Sequence, residues 1–163
     1  MRLAYPFIIG ALVCLILASS FKIENDEVPY PEGYRMWTHI KSGMVGPKSK
    51  SYNVLGGFYH VYANPLAMRG LESGTYPDGS IFAFDRLEMT ELESGDIVEG
   101  KRRLIDVMVR DAKKFESTGG WGFEEFAGDS KADRTVLTMA TTKCFNCHAK
   151  KKENSFVFSS FRK

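Results

Sequence analysis

Cysteine is scarce, with three in 163 residues. That excludes a small scaffold stapled by disulfides. Net charge is nearly absent: 22 Lys and Arg stand against 20 Asp and Glu, for a net of +2. So balanced a chain is not built for nucleic acid. No internal repeat or low-complexity run is visible. With 44% hydrophobic and 26% charged residues, the composition excludes a disordered or collagen-like chain. Histidine is rarer than most residue types, at three, so each one can be weighed singly. Aromatic residues, by contrast, are plentiful at 13%, twelve of them Phe. They suit a large flat surface as well as an ordinary core.

The one long apolar run opens the chain. Met1-Arg2 is a minimal basic start, Leu3 to Ala18 is mostly apolar, and Ala18-Ser19-Ser20 supplies small residues for cleavage. This is the layout of a secretory signal peptide at 1–20. A retained anchor is the competing reading, although the run is short against the roughly 20 residues a span needs. Val13 before Cys14 does not fit a lipoprotein signal, so Cys14 reads as apolar filler. The remaining stretch, 21–163, is one domain's length. It carries only Cys144 and Cys147, in a compartment expected to be oxidising.

Along that stretch, alternation predicts strands at 56–62, 80–88, 102–109 and 121–126. Asn64-Pro65 reads as an N-cap followed by proline at the first helical position, with Gly70 and Gly74 bounding a short helix. Pro77-Asp78-Gly79 is a turn. Residues 91–100 and 127–134 read as polar loops, and 111–118 as a short helix closed by Gly119-Gly120. Residues 135–152 read as helical, and the aromatic tail 155–161 as a returning strand. The sum is an α+β domain, mainly an antiparallel sheet with short helices and a C-terminal helix.

Cys144-Phe145-Asn146-Cys147-His148 is the strongest chemical signal. C-x-x-C-H is the attachment pattern of c-type haem. On a helix, positions i, i+3 and i+4 share one face. Two thiols can therefore join the haem vinyl groups while the imidazole of His148 ligates iron. Three other readings compete. A zinc site needs a fourth ligand, and no second pair is present. A thioredoxin-like pair needs a parallel sheet, with the motif opening a helix. A plain disulfide leaves His148 without a role.

Beyond the motif, several stretches run in order along nearly the whole of 21–163: Tyr30 to Trp37, Val61 to Pro65, Pro77 to Ser80, Val109-Arg110-Asp111, Lys114-Phe115, Gly119 to Phe123, and Val157 to Phe161. In this set the sequence resembles the cytochrome P-460 family, which includes the β-type cytochromes c′. The resemblance implies a mainly antiparallel β-fold around one c-type haem, an open distal side on the iron, and a homodimer. Cytochrome P-460 itself cross-links its haem to a lysine six residues after the Asp of an Asp-Gly turn. Counted from Asp78, that position is Phe84, and its neighbours Ala83 and Asp85 are not lysines. The departure counts against hydroxylamine oxidation. It resembles instead the β-type cytochromes c′, where a distal aromatic caps five-coordinate iron. An apolar distal wall disfavours charged ligands and admits diatomic gases. The bland reading of Phe84 is a core side chain, and both can be true.

Other candidates carry two readings each. The resemblance implies a distal, proton-moving acid at Asp106, while the strand pattern equally allows a solvated residue facing Arg102. His39 and His60 are either distal ligands of a six-coordinate electron carrier or hydrogen-bonded surface residues. Met89, Met108 and Met139 offer thioethers but are ordinarily core filler. Tyr59 and Tyr62 are candidates for another porphyrin bond. Lys150-Lys151-Lys152 is a solvated helix end or a dock for an acidic redox partner. The expectation is an exported mono-haem cytochrome that binds nitric oxide or another diatomic gas. Electron transfer, and oxidation of hydroxylamine or nitric oxide, are the alternatives.

Overall fold

Strands rich in β-branched and aromatic residues dominate the middle of the chain, and they pair with their sequence neighbours. A computed structural model describes residues 28–161. The expected leader at 1–20 lies outside the described residues. The five strands are β1 (Thr38–Val45), β2 (Gly57–Ala63), β3 (Ile81–Glu91), β4 (Ile97–Arg110) and β5 (Trp121–Ala127). They form one sheet in the order β1-β2-β3-β4-β5, with every neighbouring pair antiparallel. Helix α1 (Tyr52–Leu55) follows β1, and α2 (Pro65–Ser73) follows β2. Among the described residues, no helix is long and apolar enough to cross a membrane.

Period-two alternation sorts the strand residues into two faces. Val61, Phe84, Asp106 and Glu125 are paired across four strands and share one face. Ala63, Phe82, Met108 and Phe123 form the next row on that face. It is covered by Ala67 and Leu71 of α2, by Tyr76 and by Val157 of the tail. The opposite face carries Ala83, Ile105, Val107, Val109 and Phe126, and the lead-in residues Val28 and Tyr34 close over it. Each large side chain buried here, Trp121 or Phe126 for example, stabilises the fold by about 1.5–3 kcal/mol.

The lead-in is tied down by charge as well as by packing. Asp85 is fully buried. It accepts hydrogen bonds from Tyr34 Oη at 2.6 Å, Arg102 Nε at 2.7 Å and Arg35 Nη2 at 3.0 Å. Burial alone would raise its pKa, but the bonds from Arg102, Tyr34 and Arg35 outweigh that and hold it below the usual carboxylate range.

Several expectations hold and several are corrected. The Asn64 side chain caps α2 by accepting from Ala67 N at 2.8 Å, with Pro65 at the first helical position. Strand β1 was not anticipated. Its half-exposed residues, THIKSGMV, do not alternate cleanly, because the pairing slips between His39 and Lys41. The polar loop expected at 91–100 contracts to the tip of a long β3–β4 hairpin, whose end pairs Glu91 with Ile97. The helix expected at 111–118 is a set of turns ending in a 3-10 turn, Glu116–Thr118. The C-terminal helix exists but changes pitch repeatedly: 3-10 at Leu137–Met139, a π turn at Thr141–Phe145, α3 (Asn146–His148), then 3-10 again at Ala149–Asn154. The tail 155–161 is not a strand. Ser155 and Phe156 take φ of 52° and 67°, a left-handed bend that cannot enter a ladder.

Candidate functional site

The C-x-x-C-H residues sit at the change of pitch. Cys144 is the last residue but one of the π turn, and His148 ends α3. Cys144 is half-buried, packed with Phe84, Phe145 and Phe156 against the cluster on the α2 side of the sheet. Cys147 is exposed, and the two thiols are not joined. Burial pushes the Cys144 thiol up to about 12, and the Glu125 and Asp106 carboxylates add to the effect.

His148 is held by the backbone. Its Nδ1 lies 2.7 Å from Phe156 O. A carbonyl only accepts, so Nδ1 carries the proton and Nε2 keeps the lone pair. This is how protein folds fix a metal-ligating histidine. The bend at Ser155 and Phe156 aims that carbonyl. A bulky residue at φ 67° is a costly conformation, of the kind that collects at ligand sites. The ring packs against Phe123 and Phe158 at 4.9 and 5.0 Å between centroids. Burial lowers the His148 pKa, with the Phe156 bond opposing it, so the neutral imidazole prevails.

Phe84 is half-buried on the same side, in the row with Asp106. Its ring stacks on Tyr59 at 4.9 Å and 23°, and the Lys41 ammonium sits 5.7 Å from the Tyr59 ring. Two residues along β3, Arg86 is buried. Its Nε lies 2.8 Å from Asp106 Oδ2, its Nη2 lies 3.8 Å from Glu125, and its Nη1 donates to Val54 O. That Nε contact is close but not aligned, so among the described residues Asp106 Oδ2 has no hydrogen-bond partner, while Oδ1 accepts from Arg86 Nη2 at 3.4 Å. Burial pushes the Asp106 carboxyl up to about 8. Arg86 opposes the rise and neighbouring Glu125 reinforces it.

The structure therefore brings Cys144, Phe84 and Asp106 to one side of the sheet, with His148 anchored beside them on Phe123. Arg86, Glu125 and the Phe156 carbonyl had no expected role there, while Tyr59, a candidate for a porphyrin bond, lies on that side against Phe84. Arg86 and Glu125 were legible in principle, since alternation puts them on the face of Phe84 and Asp106. The Phe156 bend had no signal, because a phenylalanine does not announce a positive φ. The alternative that pairs Asp106 with Arg102 is corrected: Arg102 binds Asp85 and Asp129. His39 and His60 are also placed away from the motif. His60 pairs in register with Asp85, and His39 with Tyr62, so both face the opposite side of the sheet from Phe84. Met108 is buried in the core beneath Phe82, while Met139 is largely exposed.

These residues fit a haem. The imidazole presents a free Nε2, a thiol lies one turn earlier on its helix, and the facing sheet offers an apolar stack beside an unpartnered buried carboxylate oxygen. A search among curated proteins finds no match. The family model described as Cytochrome P460 matches residues 31–159, nearly the whole described chain, with the motif, Phe84 and Asp106 inside it. The chain belongs to the cytochrome P460 family and is a haem-binding cytochrome.

Proposed function

We propose that the protein carries one haem c, bound covalently through Cys144 and Cys147, and takes up nitric oxide or a similar diatomic gas reversibly. When bound, the haem supplies an iron whose sixth position can accept a gas molecule. His148 Nε2 is its protein ligand, held in the ligating tautomer by Phe156 O. Phe84, braced by Tyr59, forms an apolar wall that excludes water and charged ligands. The observation that carries this reading is the Phe84–Tyr59 stack, on the side of the sheet where Cys144 packs. The two remaining histidines lie on the other face. That placement speaks against a histidine-ligated six-coordinate carrier. The same reading takes the protein as exported after loss of residues 1–20, dimeric, and reduced by a partner protein.

A second reading, oxidation of hydroxylamine or nitric oxide, is favoured by one feature. Asp106, beside Arg86 and Glu125, is a carboxyl able to hold and release a proton near neutral pH. The absorption spectrum of the purified ferrous protein, taken before and after nitric oxide, tests the main reading. A high-spin, five-coordinate spectrum that shifts with the gas is expected. A low-spin spectrum indifferent to the gas overturns it.

A further inference from the structure

The face opposite the haem motif carries a second cluster of chemistry-bearing side chains. His39 Nε2 lies 2.9 Å from Ser42 Oγ, Ser42 Oγ lies 2.7 Å from His60 Nδ1, and His60 Nε2 lies 2.6 Å from Glu99 Oε1. Two imidazole nitrogens thus converge on one oxygen. The rings stand 5.8 Å apart, and Tyr62 packs edge-on against His39 at 5.4 Å.

A backbone irregularity builds the cluster. In a regular strand, residues three apart lie on opposite faces. The register slip between His39 and Lys41 inserts one extra residue in β1. His39 and Ser42 consequently share a face, and Lys41 turns to the Tyr59 side. Bulges are a recurrent means of re-aiming side chains at sites. The β3–β4 hairpin, with its own register breaks around Leu87, brings Glu99 to His60.

The hydrogen bonds fix the chemistry. A carboxylate only accepts, so the proton on Glu99's partner belongs to His60 Nε2. In the neutral ring His60 Nδ1 then accepts from the Ser42 hydroxyl, and Ser42 Oγ accepts from His39 Nε2–H, a ring that ligates after its proton moves to the exposed Nδ1. A carboxylate behind a histidine, fixing its tautomer and raising its basicity, is the arrangement that supports metal-bound imidazoles. We propose that His39, His60 and Ser42 form a surface site for a divalent, imidazole-seeking transition-metal ion, copper(II) or zinc(II), with Glu99 as the positioning residue. Ligand atoms about 2.0–2.1 Å from one metal ion stand about 2.9–3.4 Å from each other, so nitrogens at 2.9 and 2.7 Å from Ser42 Oγ are near ligand spacing, and both rings must turn so that the ion sits beside the hydroxyl. The exposure of His39 and Glu99 leaves room for that movement. Among the described residues no three His, Cys, Asp or Glu converge on one point. The site therefore supplies two nitrogens and the Ser42 hydroxyl, and water completes the shell. It does not rest on the haem reading, since it uses neither the motif nor its side of the sheet.

The test is calorimetric titration of the haem-loaded protein with copper(II) and with zinc(II), paired with copper spin-resonance spectra. One equivalent is expected, with copper tighter than zinc as the Irving–Williams order requires, and with coupling to two nitrogens. The His39→Gln/His60→Gln pair should lose this binding while the haem spectrum stays unchanged. Glu99→Gln should weaken it by about 10- to 100-fold with the two-nitrogen coupling retained, a combination that separates positioning from ligation. Equal affinity in the double-histidine variant, or single-nitrogen coupling in the parent, overturns the proposal.

Discussion

Asp106 should be protonated at neutral pH, and Asp106→Asn should therefore remove a pH dependence. Its carboxyl rises from an ordinary value of 3.8 to about 8. At pH 7 that corresponds to about ten protonated molecules for each ionised one. Infrared titration of the protonated-carboxyl band reads this directly. The band should be present at pH 7, fall by half near pH 8, and be missing from Asp106→Asn. Nitric oxide uptake should change with the same midpoint in the parent and be flat in the variant. A band already lost by pH 6 refutes the reasoning, because it would make Asp106 an ordinary carboxylate.

Burial is the main cause of the rise, and the charged neighbours adjust it. Asp106 and Glu125 are directly opposed on β4 and β5, which places their side chains about 5 Å apart. At an effective dielectric of about 20, two unit charges at that distance repel by about 3 kcal/mol. Glu125→Gln should accordingly lower the midpoint by about 2 pH units. Arg86 stands 2.8 Å away on the other side, and Arg86→Gln should move the midpoint upward. The sign for stability follows. A carboxyl whose folded pKa lies above its unfolded one stabilises the fold below about pH 4, and that contribution is lost as pH rises through about 8. Asp106→Asn should flatten the decline between those limits.

The remaining predictions concern the frame of the site. Tyr34→Phe deletes one of the bonds to the buried Asp85 carboxylate and should cost about 1.5–3 kcal/mol, or about 5–10 °C in Tm for a domain of this size. Asp85→Asn, which leaves Arg102 short of its partner, should cost about 3–5 kcal/mol. In the parent, the Asp85 contribution is present above its unfolded pKa of about 3.9 and lost as pH falls through the lower folded value. Thermal melts from pH 3 to 7 check all three, and a Tyr34→Phe melt matching the parent would refute the account of the hub. Gly43→Ala adds a Cβ that collides with the Tyr59 phenol. It should shift the ring off Phe84, alter the rate of gas uptake and cost about 1–3 kcal/mol. Gly46→Ala meets open space and should do neither, so matching behaviour of the two variants in melts and stopped-flow traces counts against a Tyr59 brace.

Legibility followed from how far each feature depends on local pattern. Strands β2, β3, β4 and β5 were legible because their alternation is clean, and so was the placement of Phe84 and Asp106 on opposite-facing neighbours of Ala83, Asp85, Ile105 and Val107. The capping of α2 was legible because Asn64-Pro65 is a local chemical instruction. Strand β1 was hidden by its own bulge. An inserted residue breaks the period of two that betrays a strand, and the same insertion turns His39 and Ser42 to one face and Lys41 to the other. The bend at Ser155 and Phe156 was hidden for a related reason. Non-glycine residues take a positive φ only when their surroundings impose it. Here the contacts are long-range: Trp121 Nε1 donates to Ser155 O at 3.0 Å and Ser155 Oγ to Gly74 O at 3.1 Å. Both irregularities sit where a side chain or carbonyl is aimed at a histidine. A propensity reading loses such places first, because local preference is overridden there by contacts from distant strands. A break in an otherwise regular pattern beside a histidine is thus itself a signal, and it marks both the His148 anchor and the His39–His60 cluster.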